Sequence, residues 1–299
     1  MRHVFSHLVA HALVRAASTL MSMPRRPSKK FARHILAVAL FATASLSAQS
    51  VAQSVKDQLP PELPVPRETG DSVQPVFDGW QRNPDGTISM WFGYLNRNRK
   101  EVVDVPIGPS NNFNIAVDSG QPTHFYTRRH QYAFKVILPK DWDQDKKVIW
   151  TVTAHGEPCT ATGWLQPEWE TDDGVRQMNA GGGGLAPPAD PPNTAPTITS
   201  GSPDQTAEVG KPLKLTASAT DDGIPVTRGR GGRGGLSFKW IQYRGPGQVT
   251  LDPDSTPVAG KTTESSTTAT LSAPGVYWIQ AVASDGLLEA VHTIKVTAK

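Results

Sequence analysis

The densest polar run in this 299-residue chain is Gly120-Gln-Pro-Thr-His-Phe-Tyr-Thr-Arg-Arg-His130, preceded by Asn111, Asn112 and Asn114. Gln121, His124, Tyr126, Arg128 and Arg129 supply amide, imidazole, phenol and guanidinium groups, the makings of a hydrogen-bonding platform. Asn and Gly also suit a plain surface loop, so the run needs no function to explain its composition. Two tryptophans stand in polar settings: Trp142 in Lys140-Asp-Trp-Asp-Gln-Asp-Lys146, and Trp169 in Pro167-Glu-Trp-Glu170. An exposed indole flanked by polar groups is how a shallow sugar site works, the ring stacking on a pyranose face while its neighbours take hydroxyls. The competing reading is that both cap the ends of a sandwich, since Trp is mostly buried on average. A third group, Asp221, Asp222 and Asp285, offers carboxylates to a calcium ion, which wants six to eight oxygens. Arg228, Arg230 and Arg233 in the intervening Arg-Gly run offer the alternative of neutralising them as ion pairs.

Catalysis finds little support. The chain has no Gly-x-Ser-x-Gly elbow, no His-Glu-x-x-His helix and no Ser-x-x-Lys. His124, His130 and His155 lack the clustered spacing of metal ligands. Glu168 and Glu170 on one strand face would stand about 7 Å apart with nothing to raise a pKa. His155 and Cys159 would lie about 13 Å apart along a strand, out of reach for proton transfer unless the chain turns at Gly156.

Short alternating runs must position these groups. Thr87–Leu95, Tyr132–Leu138 and Lys147–Thr153 read as strands, with Glu101–Ile107 and Cys159–Leu165 as two more. Asn83-Pro-Asp-Gly86 is a turn between the Phe77–Trp80 run and the strand at Thr87. Tyr132, Phe134, Val136 and Leu138 share one face, and Val148, Trp150 and Val152 match it, which predicts an antiparallel pair across the loop Pro139–Lys146. Low charge with abundant Gly, Pro, Ser and Thr fits short strands and tight turns.

Arg25, Arg26, Lys29, Lys30 and Arg33 form a basic n-region before the apolar run Ile35–Leu46, and small residues follow near Ala48 and Ala52. That is the layout of a secretory signal peptide, with Met1 or Met23 as the start. Pro27 after Arg25-Arg26 favours ordinary export over the twin-arginine route. The apolar run is short of the roughly 20 residues of a membrane span, and no later segment approaches that length. Seven of the thirty Lys and Arg, and none of the twenty-seven acids, fall in residues 1–48, so the mature chain carries a net charge of −4 rather than +3. The apparent basicity belongs to the signal, and nucleic-acid binding loses its support. Cys159 is the one cysteine, so no internal disulfide forms.

Leu59-Pro-Pro-Glu-Leu-Pro-Val-Pro66 reads as an extended lead, and Gly181-Gly-Gly-Gly184 followed by Pro187-Pro-Ala-Asp-Pro-Pro192 as a linker with motion across it. The resulting division is 1–48 signal and extension, 49–72 Pro-rich lead, 73–170 a first β-sandwich, 171–194 linker and 195–299 a second sandwich.

Within the last segment stand Ala195-Pro-Thr-Ile, Val209-Gly-Lys-Pro-Leu-Lys-Leu-Thr-Ala, Thr220-Asp-Asp-Gly223, Phe238-Lys-Trp240 and Gly245-Pro-Gly-Gln-Val-Thr-Leu251. Thr268-Ala-Thr-Leu-Ser-Ala-Pro-Gly-Val-Tyr277 and Ala283-Ser-Asp-Gly286 complete the pattern. In order and spacing it resembles the bacterial PKD/REJ-type immunoglobulin-like domain family. The resemblance implies a seven-stranded sandwich of exported and cell-surface proteins, with an adhesive or spacing role. The insertion Arg228-Gly-Arg-Gly-Gly-Arg-Gly-Gly235 departs from the family. Phe77-Asp-Gly-Trp80, Met90-Trp-Phe-Gly-Tyr94, Asn96-Arg-Asn98, Pro106-Ile-Gly-Pro109 and Gly120-Gln-Pro-Thr-His-Phe125 resemble an uncharacterised domain of exported bacterial proteins, a similarity that carries no activity.

The expectation is therefore an all-β protein of two tandem immunoglobulin-like sandwiches. It is exported to the periplasm, cell surface or medium and non-catalytic, and it recognises a polysaccharide or an envelope or surface protein through the Trp-rich first sandwich. A purely structural spacer of the cell envelope is the alternative, and a metal-dependent hydrolase a third reading. No cofactor is expected beyond the possible calcium.

Overall fold

The computed structural model describes residues 67–179, 192–224, 235–257 and 260–299, all of which belong to one compact unit. The expected signal region, most of the expected Pro-rich lead, half of the expected linker and Arg228, Arg230 and Arg233 lie outside the described residues. No helix among the described residues is long and apolar enough to cross a membrane.

The chain is all-β. In residues 67–179 the strands are β1 (Val73–Arg82), β2 (Ile88–Asn96), β3 (Val103–Asp104), β4 (Asn111–Phe113), β5 (His124–Phe125), β6 (Arg128–Leu138), β7 (Val148–Ala154) and β8 (Glu157–Gly163). A short 3-10 turn at Pro167–Trp169 and the helix α1 (Asp173–Asn179) follow. One sheet has the order β1-β2-β6, another β4-β7-β8, and β3 pairs with β5 at the side.

The β1–β2 hairpin forms where Asn83-Pro-Asp-Gly86 predicts it. Asn83 N–H donates to Thr87 O at 2.8 Å, and Gly86 takes φ +85°, a conformation that is strained for residues with a Cβ. The expected pairing of Tyr132–Leu138 with Lys147–Thr153 does not occur. β6 lies beside β2, with Phe134 opposite Phe92, whereas β7 lies between β4 and β8. The two matching apolar faces meet across the core instead of side by side: the Phe134 and Trp150 rings stand 5.0 Å apart at right angles. A loop of nine residues lets the chain change sheets, whereas a tight turn would have forced a hairpin. The predicted strand at Glu101–Ile107 shrinks to Val103 and Asp104. His155 and Gly156 both take positive φ and make the tight turn between β7 and β8, and His155 points to Glu101 (Nε2 to Oε1 3.2 Å) and not to Cys159.

The rest of the chain is a sandwich of two four-stranded sheets. Its strands are β9 (Thr197–Gly201), β10 (Gln205–Ala207), β11 (Leu213–Thr220), β12 (Ser237–Arg244), β13 (Val249–Asp252), β14 (Thr262–Leu271), β15 (Gly275–Ser284) and β16 (Glu289–Ala298). The sheets run β10-β16-β15-β12 and β13-β14-β11-β9. Period-two alternation puts Leu215, Ala217, Tyr277, Ile279 and Ala281 in the core. Trp240 fills its centre and donates its indole N–H to Ser265 Oγ at 2.8 Å.

In the first core Phe92, Phe113, Phe125, Phe134 and Trp150 pack as a single aromatic cluster, and Trp150 donates to Asn111 Oδ1 at 3.0 Å. Replacing Trp150 by Ala removes the largest side chain of that cluster and strips Asn111 Oδ1 of its donor. The expected loss is about 3–5 kcal/mol of unfolding free energy, read by urea denaturation.

Candidate functional site

The Gly120–His130 run is not an open platform, because the second sandwich packs onto it. Gln121 has 0% and His124 5% of its surface exposed. The Gln121 amide accepts from Ser119 N–H and donates to Val117 O, both at 2.8 Å, so neither end is free for a ligand. The Nδ1 atom of His124 lies 2.6 Å from Asp104 Oδ1, while Asp104 Oδ2 accepts from Gln248 of the second sandwich at 3.0 Å. The expected surface role of Gln121 and His124 is thus corrected: both are framework groups, buried by a contact between segments more than 100 residues apart in sequence.

Arg244 makes the centre of that contact. Its guanidinium grips both oxygens of Asp118 at 2.8 Å each, its Nε donates to Gln121 O at 2.8 Å, and it lies 4.2 Å from the Trp278 ring centroid. Only 7% of Arg244 is exposed. The Arg244 hydrogen bonds hold the Asp118 carboxyl below its usual pKa, with a smaller opposing effect from desolvation. Around this pair Tyr243 donates its hydroxyl to Gly120 O at 2.5 Å, Thr123 N–H donates to Tyr243 O, and Gln242 N–H donates to the Tyr126 hydroxyl at 2.9 Å. Burial, the main cause, pushes the Tyr126 pKa up to about 12. The motion expected from the Gly/Pro linker therefore meets a polar lock. Tyr243 and Trp278 also join the first aromatic core.

Arg128 is exposed, with φ +79°, and Arg129 turns inward to Asp78. Asp78 is the extra residue of the β1 bulge between Phe77 and Gly79, beside the irregularity where Gln131–Ala133 of β6 face Gly93 of β2. Its Oδ1 takes the Arg129 guanidinium, and its Oδ2 accepts Tyr132 N–H at 2.8 Å. Burial raises the Asp78 pKa, with Tyr132 and Arg129 opposing. Gly93 stands opposite, and a Cβ there would fall 2.2 Å from His130 O and 2.4 Å from Asp78 Oδ2. The notch pushes Gln131, Tyr132 and Ala133 out of register with β2, against the second sandwich.

The pushed-out segment divides a cleft. On one side lies a cavity of about 490 Å³ between Tyr126, Arg129 and His130 and the outer face of β12, β15 and β16, where Lys239, Ile241, Gln280 and Val282 alternate with core residues. On the other lies a trough of about 510 Å³ bounded by Trp91, Gln131–Lys135 and Arg176, and by Leu287–Val291 with Thr293. Glu289 lines both; the surrounding protein raises its pKa, with Lys239 and Arg176 opposing. Lys239, Gln280 and Glu289 were missed from sequence because polar residues on an outer strand face read as ordinary solvent contacts. The available signal was the apolar set Ile241, Val282 and Val291, out of phase with the core.

The two tryptophans separate. Trp142 packs against the first core with Lys146 Nζ 4.3 Å over its ring, leaving that face covered. Trp169 is 45% exposed, its ring 5.7 Å from Phe77.

Asp221, Asp222 and Asp285 do gather at one end of the second sandwich, where the charges of Asp222 and Asp285 add to the main effect of burial in raising the Asp221 pKa. Each has protein donors. Asp285 Oδ1 accepts from Leu287 and Leu288 N–H at 2.6 and 2.7 Å, and its Oδ2 accepts from Asn193 at 3.0 Å. Asp222 holds Thr194 and Ile224, and Asp221 Oδ2 holds Gly223. Asn193 Oδ1 and Asp221 Oδ1 are buried without a partner. Among the described residues no three His, Cys, Asp or Glu side chains form a metal-holding group.

No protein-family model and no curated protein matches the chain. Among solved structures it is similar to the tandem Ig repeats of Dlar, with 12% identity over 76% of this chain and 97% of that one and a TM-score of 0.29. The N-terminal Ig1-2 module of the Drosophila receptor protein tyrosine phosphatase DLAR gives 13% identity, 76% and 98% coverage and a TM-score of 0.27. The D00-D0 domain of intimin gives 11%, 76% and 100%, and 0.25. Likenesses this distant say nothing of what the chain binds. By its own strands and sheets it is an all-β protein whose second half is a sandwich of two four-stranded sheets.

Arg244→Ala removes three charge-assisted hydrogen bonds and leaves Asp118 without its partner. The sandwiches should then separate while each keeps its strands, read as a larger radius of gyration in X-ray scattering with unchanged far-ultraviolet dichroism. Because the Asp118 pKa is depressed, its stabilisation is complete above the unfolded carboxylate value near 3.8 and is lost as pH falls through the folded value. The wild type should accordingly loosen below about pH 4, and the variant should show no such step.

Proposed function

We propose that this chain is an exported, non-catalytic recognition module that binds an envelope or cell-surface protein in the cleft between its two sandwiches. The observation that carries this reading is the fixed cleft itself. Its walls come from both sandwiches, and their relative position is held by the pair of buried Arg244 with half-exposed Asp118. Cavities of this size are typical of binding sites, and a locked geometry lowers the entropy lost on binding. The PKD/REJ-type resemblance and the signal-like N-terminus accord with it, and a passive spacer would have no use for a rigid cleft.

A photo-crosslinking residue at Gln131, which is exposed on the cleft divider, should join one envelope protein in the native host. The same residue at Lys214, exposed on β11 in the other sheet of the second sandwich, should not. Equal yields from the two positions, or none from either, would remove the reading. Carbohydrate recognition keeps its support in Trp169 alone, since Lys146 covers Trp142. The expected glycan-array result for the full chain is no hit that Trp169→Ala abolishes.

The carboxylate end we read as a hydrogen-bonded clasp that ties Asn193 and Thr194 to the sandwich, without a metal. The melting temperature should be the same in millimolar calcium and in chelator. A rise of several degrees with calcium would make Asp221, Asp222 and Asp285 an ion site instead.

A further inference from the structure

The trough bounded by Gln131–Lys135 differs in kind from the adjoining cavity. Along the cavity wall Lys239 and Ile241, then Gln280, Val282 and Ser284, alternate, which is the mark of a sheet face. Along the trough the consecutive residues Glu289, Ala290 and Val291 of β16 take part, with Gln280 reaching in from β15, so the trough runs along β16. β10 covers one edge of β16 only from Val296 to Ala298, and Lys295 N–H on the same side is capped by Asp204 Oδ1 at 2.9 Å. By the two-residue period, Glu289, Val291 and Thr293 present their N–H and C=O groups on the side of Lys295. Among the described residues no strand pairs with them there. An open edge of this length is a template for another chain.

We propose that the edge of β16 from Glu289 to Thr293 receives an extended acidic peptide segment of the partner protein, which adds as a further strand in the trough. This rests on the protein-binding reading above and names the form the partner takes. Five residues of strand span about 16 Å, enough for three backbone positions to pair. The acidic character follows from the walls. Lys135 is exposed and makes no ion pair with a described residue, and Arg176, which stacks on Trp91 at 4.6 Å, has Asp173 as its one ion-pair partner among the described residues, at 3.6 Å. Glu289 is the one acid among the trough residues. An approaching segment thus meets two cations and one carboxylate, and exposed Val291 gives an alternating segment an apolar contact.

The test uses the full mature chain and a blocked heptapeptide of alternating Glu and Val. Saturable binding by fluorescence anisotropy is expected, with slower amide hydrogen exchange confined to Glu289–Thr293 and about tenfold weaker binding to Lys135→Glu. N-methylation of alternate peptide nitrogens keeps every side chain and removes the pairing donors, so it should abolish binding. The proposal is overturned by no saturation at millimolar peptide, by undiminished binding of the methylated peptide, by equal binding of a Lys-Val heptapeptide, or by protection elsewhere. Self-association of the chain that protects the same amides would overturn it in favour of a second copy. Should the Gln131 crosslink succeed while the peptide fails, the strand proposal falls and the protein-binding reading stands; absence of the crosslink together with peptide binding separates them the other way.

Discussion

A buried guanidinium, that of Arg244, decides what kind of object this protein is. It sits at the end of β12, forked onto both oxygens of Asp118 and held against Trp278. Burying an arginine is unfavourable unless its donors are matched, and here Asp118 and the Gln121 carbonyl match the fork. Because Asp118 is half exposed, the value of the pair lies less in net stability than in orientation: the fork geometry fixes the angle at which two independent cores meet. The cleft between the two sandwiches presupposes that angle.

The same constraint reassigns the polar groups of the first sandwich. A stretch of Gln, His, Tyr and Arg reads as a surface when only its own sandwich is considered. Once the second sandwich is docked, Gln121 and His124 become the packing between two bodies, with both ends of the Gln121 amide and Nδ1 of His124 satisfied by protein. Buried polar groups need such partners, so their satisfaction is what marks them as framework. The groups that remain free, Gln131, Lys135, Lys239 and Glu289, sit at the rim, where burial is partial and charge can act on a ligand. Asp78 and Gly93 link the two sets. The carboxylate holds Arg129 and Tyr132 from behind, and the missing side chain at Gly93 makes room for it, so the divider protrudes where a regular strand would have lain flat.

The residues themselves determined much of the local architecture. Alternation in Leu213–Ala217 and Tyr277–Ala281 selected the core face of the second sandwich, the Asn83–Gly86 turn closed the first hairpin, and Trp150 and Trp240 were marked for burial by the apolar faces that carry them. These features depend on neighbours a few residues away, where period and turn chemistry act directly. The pairing of β6 failed for the complementary reason: two strands with matching apolar faces suit a hairpin and a facing pair equally well, and only the packed core chooses between them.

The site lay further from the sequence. His124, Tyr126, Arg129 and the three carboxylates were visible as chemistry, and the carboxylates did come together, but the roles of His124 and Tyr126 hung on contacts over 100 residues away in the chain. Lys239, Gln280 and Glu289 gave no sign of function, since a polar residue on an outer strand face has the same pattern whether it meets water or a second body. Sequence thus determined strands, turns and the two cores. The tertiary structure alone decided which polar groups are buried and which edge has no pairing strand among the described residues, because desolvation and strand pairing are properties of what lies alongside a residue in space rather than of what precedes it in the chain.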